Sequence, residues 1–264
     1  MKTGSWLTTA RFFYQKVKRS NGAAMHILEA KGLSKHYGKR QVVKGLSLYV
    51  NTGEIVGLLG PNGAGKTTTF YMMVGLIKPE GGNIFLDHED LTGLPMYRRS
   101  LMGISYLPQE PSIFRKLSVE DNLRAVFEIR GLKQDEINSE TERLLAEFNL
   151  TDLAKKEGYK LSGGERRKTE IARALAIRPR FILFDEPFAG IDPIAILELK
   201  KMLNYLKAKD IGVLITDHNV RDTLSITDRA YIINNGEILE EGGPDKIIAN
   251  SRVKEIFLGE EFTL

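Results

Sequence analysis

The chain has 264 residues, of which 42% are hydrophobic and 27% charged, a balance that suits an ordinary soluble globular fold of one large or two small domains. It has no cysteine, which excludes disulfides and thiolate metal sites, and no apolar run approaches the roughly 18 residues that a membrane-spanning helix needs. The net charge of +4 arises in residues 1–24, which hold five basic residues and no acid, so the remaining 33 basic and 34 acidic residues speak against nucleic-acid binding by bulk charge.

In the N-terminal segment Trp6, Ala10, Phe13 and Val17 recur at helical spacing. A basic amphipathic helix on a membrane surface is one reading. The other is a loose tail, or a start assigned too early, ahead of the strand pattern that begins after Met25. From residue 27 the pattern is β-like: ILEAKGL, VVKGLSLYV and EIVGLLG, separated by the turn signals KHYGKR and NTG. The run IVGLL leads into a Gly-rich loop and then a helix, TTTFYMMVGLI, which stops near Gly75 and Pro79.

That loop, GPNGAGKTT, covers Gly60, Pro61, Asn62, Gly63, Ala64, Gly65, Lys66, Thr67 and Thr68. It matches G-x-x-x-x-G-K-[ST] in the strand–loop–helix context the motif needs. Glycines let several backbone amides converge on phosphate oxygens, and the helix that follows presents its positive end there. Lys66 offers a point charge to the β- and γ-phosphates, and the Thr67 hydroxyl is a ligand for Mg²⁺. A plain Gly-rich turn before a helix is the competing reading, and it accounts for less of this pattern.

GGNIFLDHEDL then reads as a hairpin and GISYLPQ as a strand ending in a turn. Residues 118–178 turn helical through VEDNLRAVFEIRGL, INSETERLLAEFNL and ERRKTEIARALAI. The last helix opens on LSGGE, where Ser162 and Glu165 have capping-box spacing and Gly163–Gly164 leave amides open to an anion. FILFDEP follows, an apolar strand ending in Asp185 and Glu186. Ligands of open α/β sheets sit at the carboxyl ends of strands, where both acids should lie, but the stretch by itself also reads as two acids capping a surface strand. A helix from about residue 194, the strand GVLITDH, a short helix near 220–226, a hairpin turning at Asn235–Gly236 and a final helix complete the chain. Alternating strands and helices predict a mainly parallel sheet covered on both faces.

GPNGAGKTT, LSGGE and FILFDEP in this order resemble the nucleotide-binding subunits of ABC transporters, and the resemblance runs from residue 25 to residue 264. It implies a phosphate-loop NTPase cassette of α/β class. That cassette has a RecA-like core over about 25–110 and 179–264, an antiparallel β subdomain, and an inserted helical subdomain over about 111–178. It also implies a Mg²⁺-dependent ATPase working as a homodimer beneath two transmembrane permease subunits, peripheral on the cytoplasmic face of the inner membrane, with no nucleic-acid partner. Residue by residue, Asp185 takes the metal role with Thr67 and Gln109. Glu186 matches the base for the attacking water, and His218 the residue that senses the γ-phosphate. Tyr37 matches the aromatic that stacks on adenine, with His36 as the alternative. Ser162, Gly163, Gly164, Glu165 and Asp192 match the groups that reach the nucleotide of the opposite subunit. Phe114 and Arg115, just after Gln109, match an anchor and a clamp for a membrane partner, although Phe114 also reads as helical core. Wording outside the shared motifs, including YLPQEPSIFRKLSVEDNL, LITDHNVR and the terminal FLGEEFTL, resembles the lipopolysaccharide-export branch. The ATPase of a branched-chain amino acid importer is the nearest rival. A soluble ABC ATPase acting on DNA or ribosomes fits less well, because the chain holds one cassette and no sustained heptads.

Overall fold

The computed structural model describes residues 25–262, so the N-terminal segment 1–24 and its two readings lie outside it. Strand β1 (Ile27–Tyr37) pairs antiparallel with β2 (Arg40–Asn51) and with β4 (Gly81–Leu86), which carries the short β5 (Glu89–Asp90). The resulting sheet has the order β2-β1-β4-β5. KHYGKR reads as a long turn in the sequence, yet β1 continues to Tyr37 and β2 resumes at Arg40, leaving a tight turn at Gly38–Lys39 with Gly38 at φ 60. Cross-strand pairing extends both strands to the tip, where local turn chemistry alone predicts a loop.

The second sheet runs β10-β9-β3-β8-β7-β6. Its members are β3 (Ile55–Leu59), β6 (Ile104–Leu107), β7 (Phe181–Asp185), β8 (Gly212–Thr216), β9 (Arg229–Asn234) and β10 (Glu237–Gly242). All neighbours are parallel except the β9–β10 hairpin. Strands β3, β7 and β8 are buried at every position, which is why they read as unbroken apolar runs and not as alternating ones. The parallel pairing puts the carboxyl ends of β3, β8, β7 and β6 side by side along one edge, where loops carrying polar groups converge.

Helix α1 (Lys66–Val74) follows the Gly-rich loop and ends at Gly75 in a left-handed conformation (φ 89). Next comes α2 (Met96–Leu101), a short helix that the sequence pattern does not predict, since LPMYRRSL has neither apolar period nor a side-chain cap. Helices α3 (Val119–Ile129), α4 (Gln134–Glu147) and α5 (Gly163–Leu175) fill the stretch between β6 and β7. Ser118 caps α3 by accepting from the Asp121 amide, and the apolar face of Leu123, Phe127, Leu144 and Ile171 joins a core continuous with Ile182 and Phe184 of β7. Helices α6 (Pro193–Ala208), α7 (Val220–Leu224), α8 (Pro244–Ala249) and α9 (Ser251–Val253) complete the described fold.

Candidate functional site

The Gly-rich loop leaves β3 through Gly60, where φ is 145 and an added Cβ would meet the Ile233 carbonyl oxygen at 2.0 Å. Gly65 closes it at φ 105, with the Val42 carbonyl 2.6 Å from an added Cβ. Both positions require glycine, since neither the backbone nor the space admits a side chain. The loop is held from behind by the β9–β10 turn: the Gly236 amide donates to the Ala64 carbonyl at 2.9 Å, and the Lys44 amide donates to the Gly236 carbonyl at 2.9 Å. Asn62 and Gly63 are exposed at the crest, whereas Ala64, Gly65 and Lys66 are buried.

The Lys66 ammonium donates to the Gly60 and Pro61 carbonyls at 2.7 and 2.9 Å. Burial holds its pKa below the usual lysine value, opposed by the charge of Glu186. Lys66 and Glu186, far apart in sequence, therefore share one electrostatic environment. Glu186 adopts a left-handed backbone (φ 46) just past the end of β7, a conformation a non-glycine residue keeps only when its surroundings impose it. Here its amide donates to the Thr216 carbonyl of β8 at 2.7 Å. The buried Asp217 carboxylate accepts from the Phe188 amide at 2.7 Å, pinning the rest of the turn. His218 Nε2 lies 2.7 Å from Glu186 Oε1.

Asp185 is 5% exposed, which rules out the reading in which it merely caps a surface strand. Its carboxylate accepts from the Tyr106 hydroxyl at 3.2 Å. Burial raises its pKa above the ordinary aspartate value, and the hydroxyls of Tyr71 and Tyr106 oppose that rise. Thr67 and Gln109 are exposed, Gln109 two residues past β6, the strand that pairs with β7. Thr67 hydroxyl, Asp185 carboxylate and Gln109 amide are hard oxygen donors, suited to Mg²⁺, which takes one or two protein oxygens and completes its shell with phosphate and water. Among the described residues no group of three acidic, histidine or cysteine side chains forms a cage that would serve instead.

LSGGE forms a hydrogen-bonded cluster of its own. Ser162 Oγ accepts from the Glu165 amide at 3.3 Å and Glu165 Oε2 accepts from the Ser162 amide at 2.8 Å, a reciprocal capping box at the start of α5. Lys156 adds a 2.9 Å ion pair to Glu165. Among the described residues no hydrogen bond or ion pair joins LSGGE to the Gly-rich loop of the same chain. Asp192 caps α6, accepting from the Ile194 and Ala195 amides at 3.0 Å. Replacing Ser162 by alanine removes the cap acceptor and should cost about 1 kcal/mol of stability. A urea unfolding midpoint equal to that of the unmodified chain would contradict the cap.

Residues 43–189 match the family model described as ABC transporter. The lipopolysaccharide export system ATP-binding protein LptB of Acidithiobacillus ferridurans is 55% identical over 238 residues, covering 90% of this chain and 99% of the relative.

The chain belongs to the ABC transporter family.

LptB of Escherichia coli K12 is 53% identical over 241 residues, covering 91% of this chain and all of the relative. A solved ATP-binding cassette of an ABC transporter in its ADP conformation superposes with a TM-score of 0.79 at 28% identity, covering 90% of this chain and 100% of that one. The ABC cassette is an ATPase, and the loops that follow the carboxyl ends of parallel strands β3, β6, β7 and β8 are where that chemistry has to be assembled.

Several residues that no motif marks connect the parts of this ABC cassette. Glu170 and Arg173 of α5 both hold Ser112, three residues after Gln109. Glu170 Oε1 accepts from the Ser112 amide at 2.7 Å, and Arg173 Nη2 donates to the Ser112 carbonyl at 2.6 Å. The same guanidinium lies 4.9 Å from the centre of the Phe114 ring. Phe114 is 49% exposed, so it is not core of the helical block. Instead the buried Asn122 fixes its backbone, accepting from its amide at 2.9 Å and donating to its carbonyl at 3.1 Å. Tyr71, Tyr106, Asp217, Glu170 and Arg173 are invisible to a spacing argument, because each acts through a neighbour that only folding supplies.

Proposed function

We propose that this chain is the ATP-hydrolysing subunit of a transporter that powers lipopolysaccharide extraction from the inner membrane toward the outer membrane. The observation that carries the reading is identity above one half to LptB across nine-tenths of the chain. In this reading it works as a homodimer on the cytoplasmic face of the inner membrane, under two permease subunits resembling LptF and LptG. The RecA-like core is formed by about 25–110 and 179 onward, and the helical subdomain by about 111–178.

ATP occupies the Gly-rich loop at residues 60–68, with backbone amides other than that of Pro61 on its phosphates and Tyr37, 51% exposed, against adenine. Lys66 exchanges the loop carbonyls for the β- and γ-phosphates. Thr67, Asp185 and Gln109 hold Mg²⁺, which when bound offsets charge on the phosphate oxygens. Glu186, in contact with His218, orients the attacking water and takes its proton, and His218 contacts the γ-phosphate. Ser162, Gly163, Gly164, Glu165 and Asp192 complete the site of the opposite subunit, a role supported by the lack, among the described residues, of any hydrogen bond or ion pair between LSGGE and its own chain's loop. ATP favours the closed dimer and loss of the γ-phosphate releases it. The path Gln109–Ser112–Phe114, clamped to α5 by Glu170 and Arg173, carries that closure to Phe114 and Arg115, an apolar anchor and a polar contact for a permease helix.

The test is a pull-down from detergent-solubilised native membranes with tagged Glu186→Gln protein and ATP. Recovery of the two lipopolysaccharide-export permeases is the expected result. Amino acid permeases in their place would keep the mechanism and overturn the cargo. Ribosomes or DNA would overturn the transporter reading.

A further inference from the structure

Glu80 sits in none of the motifs. It ends the segment that leads from α1 to β4, and its amide donates to the Ser34 carbonyl of β1 at 2.9 Å. From there its carboxylate reaches along β1 and gathers three donors. Oε1 accepts from the Lys35 ammonium at 3.0 Å, and Oε2 accepts from the His36 amide at 3.0 Å and lies 2.8 Å from His36 Nδ1. These bonds, that of Lys35 foremost, hold the Glu80 pKa down to about 2. The Lys35 ammonium is also 6.0 Å from the centre of the Tyr37 ring. The strands slip register between Lys35 and His36, and only the turn at Gly38 lies beyond Tyr37.

A single exposed ion pair would fix little, because side-chain entropy and solvent screening offset it. This arrangement differs in binding a backbone amide and both side chains that precede Tyr37. It occupies the His36 ring, leaving the half-exposed Tyr37 as the aromatic face at the strand tip. It also ties that tip to the exit of α1, the helix whose N-terminus forms the phosphate-binding loop.

We infer that Glu80 is a positioning residue for nucleobase recognition, setting the Tyr37 ring at a fixed offset from the phosphate-binding loop through His36 and Lys35. This rests on the reading of Tyr37 as the adenine platform. Preorganising the ring lowers the ordering cost that ATP otherwise meets on binding. The effect falls on the base-dependent part of affinity and leaves the triphosphate part alone.

The experiment measures Kd for Mg-ATP and for Mg-tripolyphosphate on the full chain, unmodified and as Glu80→Ala, Glu80→Gln and Tyr37→Ala, with steady-state KM and kcat alongside. The expected result for Glu80→Ala is ATP binding weakened about tenfold, tripolyphosphate binding within about twofold, and KM raised with kcat retained. Glu80→Gln keeps an acceptor oxygen without the charge and falls between; it carries the test should the alanine variant not fold. Equal weakening toward both ligands would show a distorted phosphate loop and overturn the inference. Unchanged ATP affinity in both Glu80 variants, with Tyr37→Ala weakened, would overturn it while leaving the Tyr37 platform intact. Unchanged ATP affinity in Tyr37→Ala would remove the platform and this inference together.

Discussion

Glu186→Gln is expected to bind ATP and to turn it over at least a hundredfold more slowly. A positioned general base contributes about 10²–10⁴ in rate, and a hundredfold loss corresponds to about 2.7 kcal/mol of barrier. The geometry makes the substitution clean. The left-handed backbone at Glu186 is held by the Thr216 carbonyl and by Asp217 behind Phe188, not by the side chain. Glutamine is isosteric and retains an oxygen for the contact that Glu186 makes with His218. What it loses is the capacity to take a proton, and the negative charge that favours a protonated Lys66. Steady-state phosphate release beside equilibrium ATP binding separates the two effects. Turnover within tenfold of the unmodified chain would remove Glu186 from the role of base.

Arg99→Met is expected to destabilise the fold by about 3–5 kcal/mol. Arg99 is 1% exposed. Its Nη1 donates to the Met72 and Met73 carbonyls at 2.8 Å each, and its Nε donates to the Leu94 carbonyl at 2.9 Å. It thus places a cation at the C-terminal end of α1, where the helix dipole is negative and the last carbonyls have lost their helical partners. Burial lowers the Arg99 pKa to about 10, and Asp90 opposes the fall, so the guanidinium remains charged through neutral pH. Methionine approximates the volume, leaves the Met73 and Leu94 carbonyls without the guanidinium donor in a dry interior, and leaves the Met72 carbonyl with only the Gly75 amide at 3.2 Å. Thermal unfolding should fall by about 10 °C. A shift under 2 °C would show that the carbonyls find other partners. Because α1 begins at Lys66, loosening its far end should also weaken ATP binding in the variant that remains folded.

The two residues differ in how they can be found. Glu186 is legible because its motif is local: an apolar strand and two acids, within a fixed order of other motifs. Arg99 is not, since MYRRSL has no period and its partners lie 26 and 27 residues back, at the end of another helix. The same division runs through the site. Gly60, Asp185 and His218 stand at or just past strand ends that can be read as apolar runs, with Lys66 one short loop beyond the first, and parallel pairing then brings those ends together. Tyr106, Glu170 and Glu80 carry no such mark, because their geometry depends on pairings between segments that only the fold supplies. The β1–β2 tip shows the limit for secondary structure: KHYGKR has turn chemistry, yet cross-strand hydrogen bonds carry the ladder to Tyr37 and Arg40.

By itself, then, the sequence determined the α/β class, the Gly-rich loop between strand and helix, the strand-end acids and the capped start of the LSGGE helix. Each is a short-range pattern in which neighbouring residues impose backbone geometry or burial on one another. Only the tertiary structure decided which distant groups meet: His218 against Glu186, Ser112 between Glu170 and Arg173, Arg99 on the end of α1, and Glu80 behind Tyr37. These contacts follow from sheet order and helix packing, where stabilisation is collected across long sequence separations and leaves no periodic trace in the chain.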